Sequence, residues 1–170
     1  KKFLSTIDVN FENSDGKTLL ILATESFEHF DLVKILVEIP DIDLNSIDYE
    51  RNSAFIYATS SKSNKKIAKL LAMAPRIDPN VQDKNGNTPL MYACINDHVK
   101  LVQMLVSNPL IDLNLQNDDG MTAISMAARR GFTEITNTLL TDPRIDLNIQ
   151  TKSGRTALIF AEYEMRTDII

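Results

Sequence analysis

The chain has few of the residues that build disulfides, zinc sites or active centres. Among its 170 residues there are one cysteine, Cys94, two histidines, His29 and His98, and no tryptophan. A single cysteine excludes an internal disulfide, which indicates an intracellular and cytoplasmic location, where thiols stay reduced. One cysteine and two histidines also fall short of the usual set of four zinc ligands. We therefore predict no metal and no cofactor.

The sequence also lacks a long apolar run and a broad basic region. No segment approaches the roughly 18 apolar residues of a membrane helix. The net charge is −5, and lysines and arginines are scattered among acidic residues. Binding to nucleic acid or to an anionic membrane needs a clustered basic face. The small cluster of Lys62, Lys65 and Lys66 is expected to be solvated in a turn, so we predict neither partner.

Nothing in the sequence predicts catalysis. His29 and His98 fall in or beside turns, without a serine, cysteine or acidic cluster near them in the pattern, so we expect both to be solvated. Cys94 stands where other parts of the chain have small residues, which favours a buried thiol. The aromatic residues Tyr57, Tyr92 and Phe160 recur at one register and are interpreted as a core stripe. We predict that the chain is not an enzyme.

What the chain does contain is a repeat of 34 or 35 residues. A hydroxyl residue recurs at this spacing, and an asparagine stands eight residues before each one. The hydroxyl residues are Thr18, Ser53, Thr88, Thr122 and Thr156, and the asparagines are Asn10, Asn45, Asn80, Asn114 and Asn148. Such a period indicates a stack of small units that bury apolar surface against their neighbours.

Each repeat has the same internal plan. A polar loop carries glycine two residues before the hydroxyl residue, except that Arg51 replaces it once. The hydroxyl residue is typical of a helix N-cap, and a short apolar helix follows it. After a polar turn, a second helix has apolar residues at helical spacing and must stop before a proline at 40, 75, 109 or 143. The segment after each proline is predicted to be extended.

This order of features resembles the ankyrin repeat. The closest match runs from Asp83 to Asn114 and includes Gly86-Asn87-Thr88-Pro89-Leu90 and Ala93. The usual histidine after Thr-Pro-Leu is absent, and Pro-x-Ile-Asp replaces the usual Gly-Ala-Asp, which lengthens the unit by one residue. The resemblance implies an all-α repeat solenoid, a stack of helix-turn-helix units joined by hairpin-like loops.

The repeat divides the single array of residues 1–170 into units. Residues 1–12 resemble the end of a preceding unit. We expect four full units at 13–47, 48–82, 83–116 and 117–150, called units one to four, and a partial unit five at 151–170 that stops early in its second helix. Because Ile169 and Ile170 do not form a polar outer face, we expect the chain to be a segment of a longer protein or its end to be disordered.

The resemblance implies a partner-binding surface on the concave face, formed by loop tips and the exposed side of each first helix. By register, this candidate surface contains Tyr49, Glu50, Asn52, Lys84, Asn85, Asn87, Ile95, Asn96, Asp118, Asp119, Met121, Arg129, Arg130, Arg155 and Tyr163. Tyr49, Ile95, Met121 and Tyr163 are apolar or aromatic where we expect exposure. Arg129 and Arg130 beside them could pair with carboxylates of a partner, and aromatic residues and arginine are typical of interface hot spots.

The first hypothesis is therefore a non-enzymatic module that binds another protein through a preformed face. A second hypothesis is a targeting or regulatory segment of a larger multidomain enzyme. A third is self-association through the uncapped C-terminal repeat of an otherwise monomeric chain. The sequence alone leaves these alternatives open and does not identify a partner, because fold does not set function.

Overall fold

The computed structural model describes residues 8–167, with side-chain surroundings for residues 8–163, and this part of the chain is helical. Each of units one to four contains a first helix of six or seven residues and a second of eight, and one helix follows in unit five. The helices are α1 (Leu19–Thr24), α2 (Phe30–Val37), α3 (Ala54–Ser60), α4 (Lys65–Ala72), α5 (Pro89–Ile95), α6 (Val99–Val106), α7 (Ala123–Arg129), α8 (Thr133–Leu140) and α9 (Ala157–Thr167).

The helices stack in two rows. The first helices α1, α3, α5, α7 and α9 pack side by side in chain order, and the second helices α2, α4, α6 and α8 form another row against them. We call these the inner and outer rows. Within residues 8–167 the only strand-like pairing is one bridge between Ile47 and Ser53. The predicted all-α repeat solenoid is confirmed.

Each inner helix begins at the recurring hydroxyl residue. Thr18, Ser53, Thr88 and Thr122 have extended backbones, and each side-chain oxygen accepts a hydrogen bond from the backbone N–H three residues later. Thr156 accepts in the same way from the N–H of Ile159 at 3.4 Å. Such a cap satisfies a free N–H at the helix start and contributes about 1 kcal/mol. The predicted helix starts are confirmed.

Glycine stands at the loop tips because the backbone there is left-handed and the next loop lies close. The four loop glycines have φ between 74° and 76°. A Cβ on Gly86 would lie 2.9 Å from the Cα of Asn117 in the following loop. Arg51 occupies the same place with φ of 63°. The second loop therefore adopts the shared shape at a cost of about 1 kcal/mol in backbone strain.

Every outer helix ends three residues before a proline, as predicted, but the segment that follows is not extended. It consists of turns, for example between the N–H of Ile42 and the carbonyl of Ile39 at 3.3 Å. The N–H of Asn45 then donates to Oδ1 of Asp43 at 2.8 Å. An aspartate side chain that accepts from the backbone two residues later closes a turn by itself, so the extended prediction is wrong.

The recurring asparagine joins neighbouring units. Nδ2 of Asn80 donates to the carbonyl of Leu110, and Oδ1 accepts from the N–H of Asp112, both at 2.8 Å. Asn10, Asn45 and Asn114 bond the following unit in the same way. An amide side chain is suited to this place because it carries a donor and an acceptor together. Each one satisfies two backbone groups of the next unit.

Two arginines bond the turn that follows the outer helix of the preceding unit. The guanidinium of Arg76 donates to three carbonyls after the end of α2, those of Ile39, Pro40 and Ile42. Arg144 makes equivalent bonds to the carbonyl of Val106, the last residue of α6, and to those of Asn108 and Ile111 in the turn that follows. A guanidinium group carries five N–H donors in a fixed fork, so one arginine can bond several carbonyls of the same turn.

The core lies between the rows and between successive units. The second residue of each inner helix in units one to four is buried, with at most 2% of its surface exposed: Leu20, Phe55, Leu90 and Ile124. Cys94 is fully buried, as predicted, and burial raises the pKa of its thiol. Burial in a close-packed core keeps this thiol protonated, so it is not a nucleophile.

His98 is buried, so the prediction that both histidines are solvated is wrong for this residue. Only 4% of its surface is exposed, and neither ring nitrogen has a hydrogen-bond partner within the described residues. His98 is buried because its position in the repeat faces the preceding unit. Asn64 at the same place in unit two donates from Nδ2 to the carbonyl of Thr24 at 2.6 Å. His29 in unit one is exposed, as predicted.

Unit five differs from the others after its cap. The sequence predicts a turn and the start of a second helix, but α9 continues unbroken to Thr167. In units three and four the turn contains a left-handed residue, Asp97 with φ of 56° and Gly131 with 68°, and the described part of unit five has none at this point. The predictions for residues 1–7 and for Asp168-Ile169-Ile170 lie outside the described residues.

Candidate functional site

The loops that carry many of the candidate residues are held in shape by their own first residue. Oδ1 of Asp83 accepts from the N–H groups of Asn85 and Asn87 at 2.9 and 2.8 Å. Asp48 and Asn117 make the same two bonds in units two and four. Side chains that bond their own backbone in this way fix a turn. The loops therefore have a defined shape within each unit.

Backbone bonds connect one loop to the next. The N–H of Asp118 donates to the carbonyl of Asn85 at 2.9 Å. Tyr49 bonds Asp15 and Lys152 bonds Asp119 in the same manner, at 3.1 and 3.0 Å. The loop tips thus form a continuous edge along much of the stack. A surface that is ordered before binding loses less conformational entropy when a partner docks.

Two tyrosines of the predicted core stripe tie the inner helices to the loops. Oη of Tyr57 donates to Oδ2 of Asp48 at 2.7 Å, and Oη of Tyr92 donates to Oδ2 of Asp83 at 2.6 Å. Burial and the bond to Asp83 raise the pKa of Tyr92 to about 12. At this register tyrosine occurs only in the two units whose loop begins with aspartate, and Phe160 at the same register in unit five is buried. The stripe is structural.

The structure places the candidate residues in three classes of exposure. Exposed are Tyr49, Glu50, Lys84, Asn85, Asp118, Asp119, Arg129, Arg130, Arg155 and Tyr163. Half-buried are Asn52, Asn87, Ile95 and Asn96. Met121 is buried, with 5% of its surface exposed.

The expected exposure of Met121 is wrong, and that of Ile95 is only partly correct. Met121 precedes the capping Thr122, and its Sδ lies 3.8 Å from Oγ of Ser125 in the first turn of α7. This position places the side chain under the loop and against the helix. Ile95 ends α5 and packs against the core while one side remains accessible. Both residues form the floor of the surface and do not project from it.

Asn96 has a role within the stack. Its Nδ2 donates to the carbonyls of Thr59 and Ser60, at 3.0 and 2.9 Å, at the end of α3. Asn87 similarly accepts a bond from Nδ2 of Asn117 at 2.9 Å. Amide groups that already bridge units have less bonding capacity left for a partner. The candidate surface is therefore narrower than the register alone suggests.

Five candidate residues come together in one cleft of about 220 Å³. The cleft lies where the loop of unit four meets the inner helices α5 and α7, and seven residues line it: Ile95, Asn117, Asp119, Met121, Met126, Arg129 and Arg130. Ile95, Met121 and Met126 supply apolar surface. Asp119, Arg129 and Arg130 are exposed charges at its rim. We call this the inner cleft.

The charges of the inner cleft are available for a partner. Within the described residues neither Arg129 nor Arg130 forms an ion pair with a carboxylate. Both stand at the C-terminal end of α7, where the helix dipole favours a cation. Two free guanidinium groups beside an apolar floor are suited to a carboxylate next to an apolar side chain.

The other candidate residues lie outside the inner cleft. Glu50 and Lys84 form an ion pair between the second and third loops, and this bond raises the pKa of Lys84. The guanidinium of Arg155 lies 5.9 Å from the centre of the Phe160 ring. Tyr49 is exposed but packs over Gly16, where a Cβ would lie 2.7 Å from its ring. These residues have neighbours within the chain and do not converge on one point.

Sequence reasoning missed two residues of the cleft, Asn117 and Met126. Met126 shares the register of the aromatic stripe, which predicts a core position, and only 8% of its surface is exposed. Met126 nevertheless lines the cleft. Flexible methionines are typical of binding surfaces that adapt to a partner. The sequence signal that could have indicated this role is the methionine at a register where three other units have an aromatic residue.

Across residues 8–167, no group of three or more histidine, cysteine, aspartate or glutamate residues is arranged to hold a metal ion. No helix described there is long and apolar enough to cross a membrane.

Comparison with known proteins identifies the family. A model described as ankyrin repeats (three copies) matches residues 1–83, 55–151 and 108–170. The chain belongs to the ankyrin-repeat family. It is also similar to a solved structure, the crystal structure of the ankyrin repeat protein EF0377, with a TM-score of 0.82 and 25% identity over 97% of this chain and 83% of that one. No curated protein sequence matches it significantly.

Membership gives the broad function of the array. Ankyrin repeats are generally protein–protein interaction modules and are typically non-enzymatic. The family does not specify which surface of this array is used or which protein it binds, because that depends on the exposed residues of each member.

Proposed function

We propose that this ankyrin-repeat array binds a partner protein at the inner cleft. The observation that carries the proposal is the cleft of about 220 Å³, where Ile95, Met121 and Met126 lie beside the unpaired Arg129 and Arg130. The bound segment presents an apolar side chain to the floor and a carboxylate to the arginines. Loops that are already bonded to one another keep the ordering cost low.

A quantitative affinity capture tests this proposal. Arg129→Ala/Arg130→Ala removes both cations and should reduce the amount of bound partner by about tenfold or more, since arginine is frequent among interface hot spots. Both side chains are exposed, so the variant should keep its stability within about 0.5 kcal/mol. Circular dichroism and the urea midpoint check that it is folded.

Lys34→Glu is the matched control, because it changes the net charge by the same amount as the loss of two arginines. Lys34 is exposed on α2 in the outer row. A partner that the control retains and the arginine variant loses supports binding at the inner cleft. If the arginine variant captures as much partner as the wild type and the control do, the proposal is contradicted. If both variants lose the partner to the same extent, net charge alone governs the binding and the inner cleft is not the site.

A further inference from the structure

The outer row carries a basic surface that lies away from the inner cleft. Residues 51–77 contain no aspartate or glutamate, although the whole chain has a net charge of −5. Four lysines lie in this segment, Lys62 in the turn before α4 and Lys65, Lys66 and Lys69 on α4 itself. Lys100 holds the register of Lys66 on the adjacent helix α6. We call these five lysines the outer basic surface.

The five lysines are available to solvent and have no partners of their own. Lys62, Lys65, Lys66 and Lys100 are exposed, and Lys69 is half-buried. None forms an ion pair with a carboxylate in the described part of the chain. Lys62, Lys65 and Lys69 also lie close enough to His98 of unit three to lower its pKa. The cluster therefore spans the boundary between units two and three.

Acidic residues bound this surface on both sides. Asp31 and Glu134 take the register of Lys66 and Lys100 on α2 and α8, and the turn of unit one contains Glu25 and Glu28. The turn of unit three contains one acidic residue, Asp97, beside His98. On the outer row the lysines are thus concentrated in units two and three, whereas units one and four carry an acidic residue at the register of Lys66 and Lys100.

The arrangement is unfavourable for the helix that carries it. Cations near the start of a helix oppose its dipole, and α4 begins with two lysines and has no acidic residue in its first turn. Its N-cap Asn64 does not cap the helix, because its amide bonds unit one. An unfavourable local arrangement that no other interaction in the fold offsets, such as lysines at an uncapped helix start, is typical of a functional surface.

We propose that the outer basic surface binds an acidic, extended segment of a partner protein. Lysine is a flexible, hydrated point charge that imposes no bidentate geometry, so it suits a run of carboxylates more than one fixed group. Adjacent helices lie about 8–10 Å apart, and an extended chain covers about 3.3 Å per residue. A segment of about five residues with several carboxylates spans the surface.

Fluorescence anisotropy with a labelled peptide of about ten residues, alternating glutamate and glycine, tests the proposal. The wild-type chain should bind it at about 50 mM salt, and raising the salt to about 500 mM should weaken binding about tenfold or more. Lys62→Glu/Lys66→Glu should lose binding at least about tenfold at low salt. A peptide with glutamine in place of glutamate should not bind.

The control Lys34→Glu/Lys152→Glu carries the same change in net charge and should bind the acidic peptide like the wild type. A second readout is stability, because Lys66→Glu places an anion at the start of α4 and should raise the melting temperature. If the double reversal unfolds the chain instead, the neutral Lys62→Gln/Lys66→Gln replaces it. Unchanged binding by the lysine variants, or lysine-dependent binding of anionic phosphatidylserine vesicles without peptide binding, overturns the proposal.

Discussion

At the scale of single residues, Arg51 shows how one side chain changes the spacing of the loops. Where glycine occupies the loop tip, a backbone N–H of the next loop donates to the carbonyl of the residue before the glycine. The N–H of Asp118, for example, donates to the carbonyl of Asn85. Between the second and third loops the described contacts include no such bond, and Lys84 pairs with Glu50 through side chains. A Cβ at the equivalent Gly86 would lie 2.9 Å from the Cα of Asn117 in the next loop, so the Cβ of Arg51 explains why the second and third loops do not approach as closely.

Replacing Arg51 with glycine should raise the free energy of unfolding by about 1 kcal/mol, because it relieves the left-handed strain and lets the loops approach. Urea unfolding measures the change. Arg51→Ala is the control, since alanine keeps the Cβ and the strained backbone and should bring no gain. An equal gain from both substitutions would assign the effect to loss of the arginine charge.

His98 should make stability depend on pH. Burial lowers its pKa below the ordinary value of 6.5, and Lys65 adds to this, while Asp97 opposes it. The unfolded chain then binds more protons than the folded one as the pH falls. The stability that neutral His98 provides is complete above 6.5 and is lost as the pH drops through its folded pKa.

Unfolding free energies at about pH 7.5 and about pH 5 measure this effect in the wild type and in His98→Gln. The wild type should lose more stability than the variant, which cannot titrate at this position. Carboxylates contribute equally to both proteins and cancel in the difference. The same pH dependence in both would show that His98 is accessible and titrates normally when folded.

At the scale of the elements, the sequence predicts what depends on near neighbours. Caps such as Thr88, the helix ends before proline and the loop glycines rest on residues within a few positions of each other, and all are confirmed. The asparagine bridges and the carbonyl bonds of Arg76 join residues 30 or more positions apart. The sequence shows that Asn80 recurs, but only the stacked units show what it bonds.

Asn80→Ala should therefore destabilise the chain by about 1–2 kcal/mol, because two backbone groups of unit three lose their partner. Asn148→Ala is the matched control, since Asn148 holds the same register but its side chain bonds no described residue. It should change stability by less than about 0.5 kcal/mol. Equal losses would mean that asparagine stabilises its own turn and not the contact between units.

At the scale of the whole molecule, burial depends on position in the stack as well as on residue type. Leu90 and Leu158 share a register, yet 2% of Leu90 and 66% of Leu158 is exposed. Leu90 lies on α5, which packs against α7, whereas no described helix follows α9 in the inner row to cover Leu158. In such arrays stability is approximately a sum over units and their interfaces. The same residue type therefore contributes different amounts to the free energy of unfolding at different positions.

Leu90→Ala should cost about 2–5 kcal/mol, because it opens a cavity between units three and four. Leu158→Ala should cost less than about 1 kcal/mol. Chemical denaturation of both variants checks the difference. Similar costs would mean that Leu158 is buried in solution.

The inner cleft combines predictable and unpredictable features in the same way. Register alone places Ile95, Asp119, Met121, Arg129 and Arg130 on one face, and the structure brings these five together. The register does not reveal that Asn96 bonds the preceding unit or that Met126 lines the cleft. Those facts depend on how the loop of unit four folds over two helices.

Photocross-linking in a cell extract tests directly whether a partner binds at the inner cleft. A benzophenone amino acid is placed at Asp119, on the rim of the inner cleft, or at Gln103, exposed on the outer helix α6. Binding at the inner cleft predicts a cross-linked partner from position 119 that disappears with Arg129→Ala/Arg130→Ala, and none of that partner from position 103. The same partner cross-linked from position 103 and not from position 119 would contradict binding at the inner cleft.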